Sequence, residues 1–197
     1  MTFFHLWKSN SSQKLKTSVF SLTGHINVFD NSKMLFNIYQ EKYKLINDDE
    51  LILSLASLFH DFNHSGGKLI DKENIEIALV VLKEFLNQNH IDSYYNDIKK
   101  LIKTTEFPHI EKELTILEKI IRDADTIGCV IDGWEDVVKN LAKEYGKNFN
   151  EFIPTQIGFL NSVSFNTEYS NNILKEKKED IIKKLNLLKK WKKWKKL

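Results

Sequence analysis

Glycine and proline are scarce, at 7 and 2 of 197 residues. That is about 5% of the chain, against about 12% in ordinary globular proteins. So few turn-formers disfavour a sandwich or barrel with many tight turns and favour a mostly helical chain. One cysteine, Cys129, excludes an internal disulfide framework. No apolar run approaches the ~18 residues of a bilayer span, and the opening MTFFHLWKSN lacks the layout of a secretory signal. A cytoplasmic location is therefore expected. Arginine is almost absent as well, with Arg122 alone against many lysines.

What is present is one domain's worth of helical pattern. A content of 42% hydrophobic and 28% charged residues excludes global disorder. Charge is segregated: residues 182–197, IKKLNLLKKWKKWKKL, hold eight lysines and no acid. With those eight charges set apart from the formal +2, the other 181 residues carry −6. An acidic body is a poor non-specific nucleic-acid binder, and no specific nucleic acid is expected as a partner. Apolar residues recur at spacings of three and four, without internal repeats. Helices are expected from about Gly24 to 46, then over 47–59 and beyond, 72–88, 92–104, 110–122, 133–145, 155–165 and 171–197. Asn47 reads as an N-cap, Ser65-Gly66-Gly67 as the stop of the second helix, and Pro154 as a first-turn residue. The domain is placed at 1–170, with 171–197 as a basic C-terminal helix and not a separate domain.

The chemistry concentrates at His60-Asp61. Leu51, Ile52, Leu53, Leu55, Ala56, Leu58 and Phe59 leave the preceding helix almost no polar face. An imidazole and a carboxylate buried at its end cost several kcal/mol unless something compensates them. A divalent metal is the economical compensator. Nitrogen plus carboxylate ligands suit Zn, Fe or Mn, and a mainly carboxylate second site suits Mg or Mn.

The order His25, His60-Asp61 and Asp125, the last within IIRDADTIG, resembles the signature of the HD-domain metal-dependent phosphohydrolases. The resemblance spans roughly residues 20–165. It implies an all-α HD-domain helical bundle around a metal site, with His25, His60, Asp61 and Asp125 as metal ligands and Asp61 bridging to a second ion. Local segments look most like the class I cyclic-nucleotide phosphodiesterases: HDFNHSGG, GHINVF, TTEFPH and TQIGFLNSV, in that order. In that family the last segment supplies a glutamine that bonds the base and a phenylalanine that clamps it, roles that fall here on Gln156 and Phe159. Glu106 takes the place of the family's aspartate and is expected to hold water or act as a base. Ser21 stands where the family carries a histidine general acid, and His64 is the nearest alternative proton donor.

The implied activity is metal-dependent hydrolysis of a cyclic nucleotide or small cyclic oligonucleotide through a metal-activated hydroxide, with two divalent ions as cofactors. Two alternatives stand beside it. One is an HD-domain phosphohydrolase releasing phosphate or triphosphate from a nucleotide. The other is a non-catalytic nucleotide-binding HD protein. For the tail, Leu185, Leu188, Trp191 or Lys192, and Leu197 approximate a helical stripe among lysines. It reads as an amphipathic helix on an anionic membrane, as a docking helix on the domain or on a second subunit of a homo-oligomer, or as an electrostatic guide for anions.

Overall fold

The computed structural model describes residues 19–62, 64, 65, 68–109 and 113–194, with side chains from 27 to 189 within those ranges. Every regular element among them is helical. The order is α1 (Val19–Tyr43), α2 (Asn47–Phe59), α3 (Asp71–Gln88), a 3₁₀ turn (Asp92–Tyr94), α4 (Tyr95–Thr104), α5 (Ile116–Ile127), α6 (Trp134–Glu144), α7 (Phe149–Ser162) and α8 (Glu168–Trp194). None is long and apolar enough to cross a membrane.

Several ends differ from the sequence expectation, each for a local reason. At α2 the cap position falls on Ile46, one residue before Asn47, and Asp49 accepts the Ile46 N–H at 2.9 Å. The same helix stops at Phe59, well before the Ser65-Gly66-Gly67 segment. Residues 60–64 instead form tight turns, with Phe62 N–H donating to the Phe59 carbonyl and His64 N–H to that of Asp61, both at 3.0 Å. His64 therefore does not continue the helix of His60. Helix α5 starts at Thr115, which exchanges bonds with Glu118 in a capping box, and not near residue 110. Asn148 and Glu151 likewise start α7 early, so Pro154 lies inside the helix and not in its first turn. Its missing N–H forfeits one ladder bond there, a local cost that burial of Phe152, Ile153 and Leu160 outweighs.

Two apolar clusters meet along α5. The first gathers Leu35, Phe36, Leu53, Leu55, Leu82, Ile98, Ile102 and Ile121 from α1 to α5, and it ends at Ala124. The second begins at Ile127 and gathers Trp134, Val138, Phe152, Leu160, Ile181 and Leu185 from α6, α7 and α8. Helix α5 thus belongs to both cores, with Asp125 on the seam. Helix α1 packs against both α5 and α2, and Asn31 donates to the Ala124 carbonyl at 3.1 Å.

Asp123 locks the two halves together. Fully buried, it accepts four hydrogen bonds: Asn166 N–H at 2.8 Å, Asn166 Nδ2 at 2.9 Å, Thr167 N–H at 2.8 Å and Thr167 Oγ1 at 2.6 Å. The carboxylate therefore satisfies the donors at the start of α8. Asp123→Ala strands these donors, and a loss of about 3 kcal/mol is expected. Asp123→Asn is expected to lose a similar amount, because its NH₂ faces donors where an acceptor is needed. Urea titration should show the midpoint falling by about 1–2 M at unchanged slope. A midpoint within about 0.2 M of wild type would defeat this role.

Candidate metal centre

His60 is the C-cap residue of α2 and is only 2% exposed. Its Nδ1 lies 2.9 Å from the Ser57 carbonyl oxygen, which can only accept, so Nδ1 carries the proton. Ser57 is itself fixed. Its hydroxyl donates to the Leu53 carbonyl at 2.8 Å, so Ser32 Oγ, 2.6 Å away, must donate to Ser57. Helix α1 thereby reaches through Ser32 and Ser57 to orient the imidazole.

The other ring nitrogen meets two carboxylates. Nε2 lies 3.3 Å from Asp61 Oδ2 and 3.4 Å from Asp125 Oδ1. One ligand atom from each of the three residues falls within 4.8 Å of the others. A tetrahedral ion with bonds of about 2.0–2.1 Å separates neighbouring ligand atoms by roughly 3.4 Å, which the two measured separations match. The donor set fits a divalent cation of the Zn, Mn or Fe kind in chemistry as well as spacing. His60, Asp61 and Asp125 are the residues that could hold it.

Without a metal, a proton does the same work. Burial pushes the His60 imidazole down, but Asp61 and Asp125 together outweigh it and raise its pKa well above 6.5. The Asp61 and Asp125 side chains keep 47% and 31% exposure, so water shares in solvating them, and a proton or a divalent ion at Nε2 adds a cation between the two charges.

The other expected site residues are distributed as follows. The His25 side chain lies outside the described residues; its backbone belongs to α1, three residues before buried Val28. His64 is exposed in the turn after Asp61. Glu106 is half-buried just past α4 and is not a member of the three-residue group. Gln156 is buried in α7, 1% exposed, and its Nε2 has no hydrogen-bond partner. Its amide approaches the Cys129 thiol, one turn beyond Asp125. Burial pushes that thiol up to about 12, with Asp125 adding to the rise and Gln156 opposing it. Cys129 is accordingly a protonated core residue at neutral pH. Phe159 is half-buried against the second cluster.

Several residues near the site carry no sequence signal. Ser32 and Ser57 are single hydroxyls on apolar helix faces. Asn74, only 2% exposed, accepts the Ser65 N–H at 3.0 Å and so pins the loop that follows Asp61. Glu144 ends α6, and although the residue as a whole is exposed, its carboxyl is partly covered. That covering raises its pKa, Asp61 adds to the rise and His64 opposes it. Arg122 donates from Nε to the Thr104 carbonyl at 2.6 Å, tying α5 to the segment that carries Glu106.

The raised His60 value fixes a pH dependence for chelator-treated protein. The folded pKa exceeds the unfolded 6.5, so this group's stabilisation is complete below 6.5 and is lost as pH rises through the folded value. The urea midpoint of the metal-free protein is expected to fall over that window, and the His60→Gln midpoint to stay flat. Mn²⁺ displaces the proton at Nε2, so its affinity is expected to rise with pH across the same window. Parallel pH profiles for wild type and His60→Gln would show that this pair of carboxylates does not hold the proton.

No family model matches the chain, and neither a curated protein nor a solved structure matches it.

Proposed function

We propose that this protein is an HD-type, metal-dependent phosphodiesterase acting on a cyclic nucleotide or small cyclic oligonucleotide. The observation that carries the reading is the convergence of His60 Nε2 with Asp61 and Asp125 at 3.3 and 3.4 Å, from α2 and α5. Those residues stand in the order of the HD signature. His25, in the second turn of α1, completes the proposed ligand set. Bound divalent ions, two in this reading, supply phosphate-charge neutralisation and acidification of a water nucleophile.

The chain's own residues supply the remainder. A buried amide nitrogen without a partner is costly, and Gln156 retains one. A base edge would satisfy it, and Phe159, three residues on in α7, supplies a ring to stack on the base. His64 is assigned to protonate the leaving oxygen, and Glu106 to hold a water at the rim. Asp61 has a role in both ion sites.

Incubation with cyclic mono- and dinucleotides in Mn²⁺ or Mg²⁺ tests the assignment. Ring-opened products that keep their phosphate are expected, with none formed by Asp125→Ala. No ring opening across the panel would reject the reading. Release of inorganic phosphate or triphosphate from linear nucleotides would replace it with the nucleotide phosphohydrolase.

Gln156→Ala separates base recognition from metal binding. Losing one buried hydrogen bond of this kind costs about 1–3 kcal/mol, so KM is expected to rise roughly 5- to 150-fold for the preferred base. Metal content should stay at the wild-type level. Unchanged kinetics for every base would reduce Gln156 to a packing residue between α5 and α7.

A further inference from the structure

We propose that the end of α8 is an interfacial helix that binds the surface of a bilayer containing anionic lipids. Packing marks where this helix stops serving the fold. Ile181 and Leu185 are buried in the second core, at 3% and 0% exposure. From 186 to 189 every residue is exposed, including Leu187 at 55% and Leu188 at 39%. Leu185 is therefore a core residue, and any exposed apolar stripe starts at Leu187. The helix nevertheless continues to Trp194, nine residues past Leu185, or about 13 Å at 1.5 Å per residue.

Charge changes over the same turn. Glu179 and Asp180 are the last acids, and the remainder of the chain holds eight lysines. Leu187, Leu188, Trp191 and Trp194 recur at intervals of one, three and three, a single stripe by helical register. Lys189, Lys190, Lys192 and Lys193 take the other registers. A narrow Leu/Trp stripe among lysines is the composition of a helix lying in the plane of a bilayer interface, where indole rings sit at headgroup depth.

Three other occupants fit less well. The chain's own body does not cover 186–189, as their exposure shows. Pairing with the same segment of a second copy brings eight lysines against eight. A foreign protein groove would need fixed carboxylates matched to lysines on every side of the stripe. Anionic lipids meet that requirement with mobile charge, worth roughly a five-fold gain in partition per lysine near the surface.

Full-length protein can be sedimented with vesicles of phosphatidylcholine alone or with about 30% phosphatidylserine. Pelleting is expected with the anionic vesicles only, weakening in about 0.5 M salt. Trp191→Ala with Trp194→Ala should lower partition at least ~10-fold, and Lys189→Glu, Lys192→Glu and Lys193→Glu together should abolish it. These positions lie past Leu185, the last buried residue among the described side chains, so thermal unfolding should be unchanged. Asp125→Ala should pellet like wild type, which separates this inference from the proposed hydrolysis. Absence of pelleting with anionic vesicles would overturn the inference. So would undiminished pelleting of the double tryptophan variant, which would leave charge alone. A wild-type dimer that the tail variants dissolve, with no vesicle binding, would assign the stripe to a second copy instead.

Discussion

A buried imidazole with only one choice of orientation governs this structure. His60 gives its Nδ1 proton to the Ser57 carbonyl, so Nε2 has to face Asp61 and Asp125. That arrangement favours a cation at Nε2. The ring is buried while both carboxylates keep contact with water, so a proton or a metal ion at Nε2 gains two charge partners that are themselves solvated. The neighbouring polar groups are arranged to keep the ring where it is. Ser32 bonds Ser57, and Asn31, next in sequence on the same helix, bonds the Ala124 carbonyl beside Asp125. Helix α1 therefore sets the positions of both walls of the site.

Helix α5 sorts its two aspartates by rotation. Two residues along a helix turn the side chain through about 200°, so Asp123 and Asp125 face opposite ways. Asp123 meets four donors at the start of α8 and has no lone-pair direction left for a ligand. Asp125 lies between Ala124 of the first core and Ile127 of the second, with 31% of its side chain exposed. One acid holds the fold and the other is left for chemistry. The division follows from helical geometry and from which face meets amide donors.

The same contrast explains what was legible in the sequence. The all-helical class followed from spacings of three and four and from missing turn residues, both local properties. His60-Asp61 could be singled out because polar groups at the end of an apolar helix are conspicuous, whereas Asp125 was named only through the resemblance to the HD signature. Gln156 could be named only through its segment, TQIGF; its buried, unpartnered nitrogen is a tertiary fact. Ser32, Ser57 and Glu144 were illegible, because a hydroxyl or a carboxylate acquires meaning only when another helix is laid against it. Helix ends were misread where backbone geometry overrode residue type. Ile46 occupies a cap position with no side-chain oxygen, and Pro154 sits inside a helix that Asn148 and Glu151 had already started. The chain also leaves the helix at Phe59, well before Ser65-Gly66-Gly67, and reaches His64 through tight turns.

Electrostatics then limits how an anionic substrate could be held. The body of the chain carries −6, so its long-range field repels a phosphodiester. Arg122 lies three residues before Asp125, but its Nε is committed to the Thr104 carbonyl. One divalent ion would cancel Asp61 and Asp125 and leave a neutral site. In the proposed reading, net attraction for phosphate thus requires a second ion. A short-range field made by ions, inside a body that repels anions at a distance, favours substrates whose remaining atoms contribute their own binding. In the proposed reading, a nucleobase against the Gln156 amide and the Phe159 ring would meet that requirement, whereas bare inorganic phosphate would not.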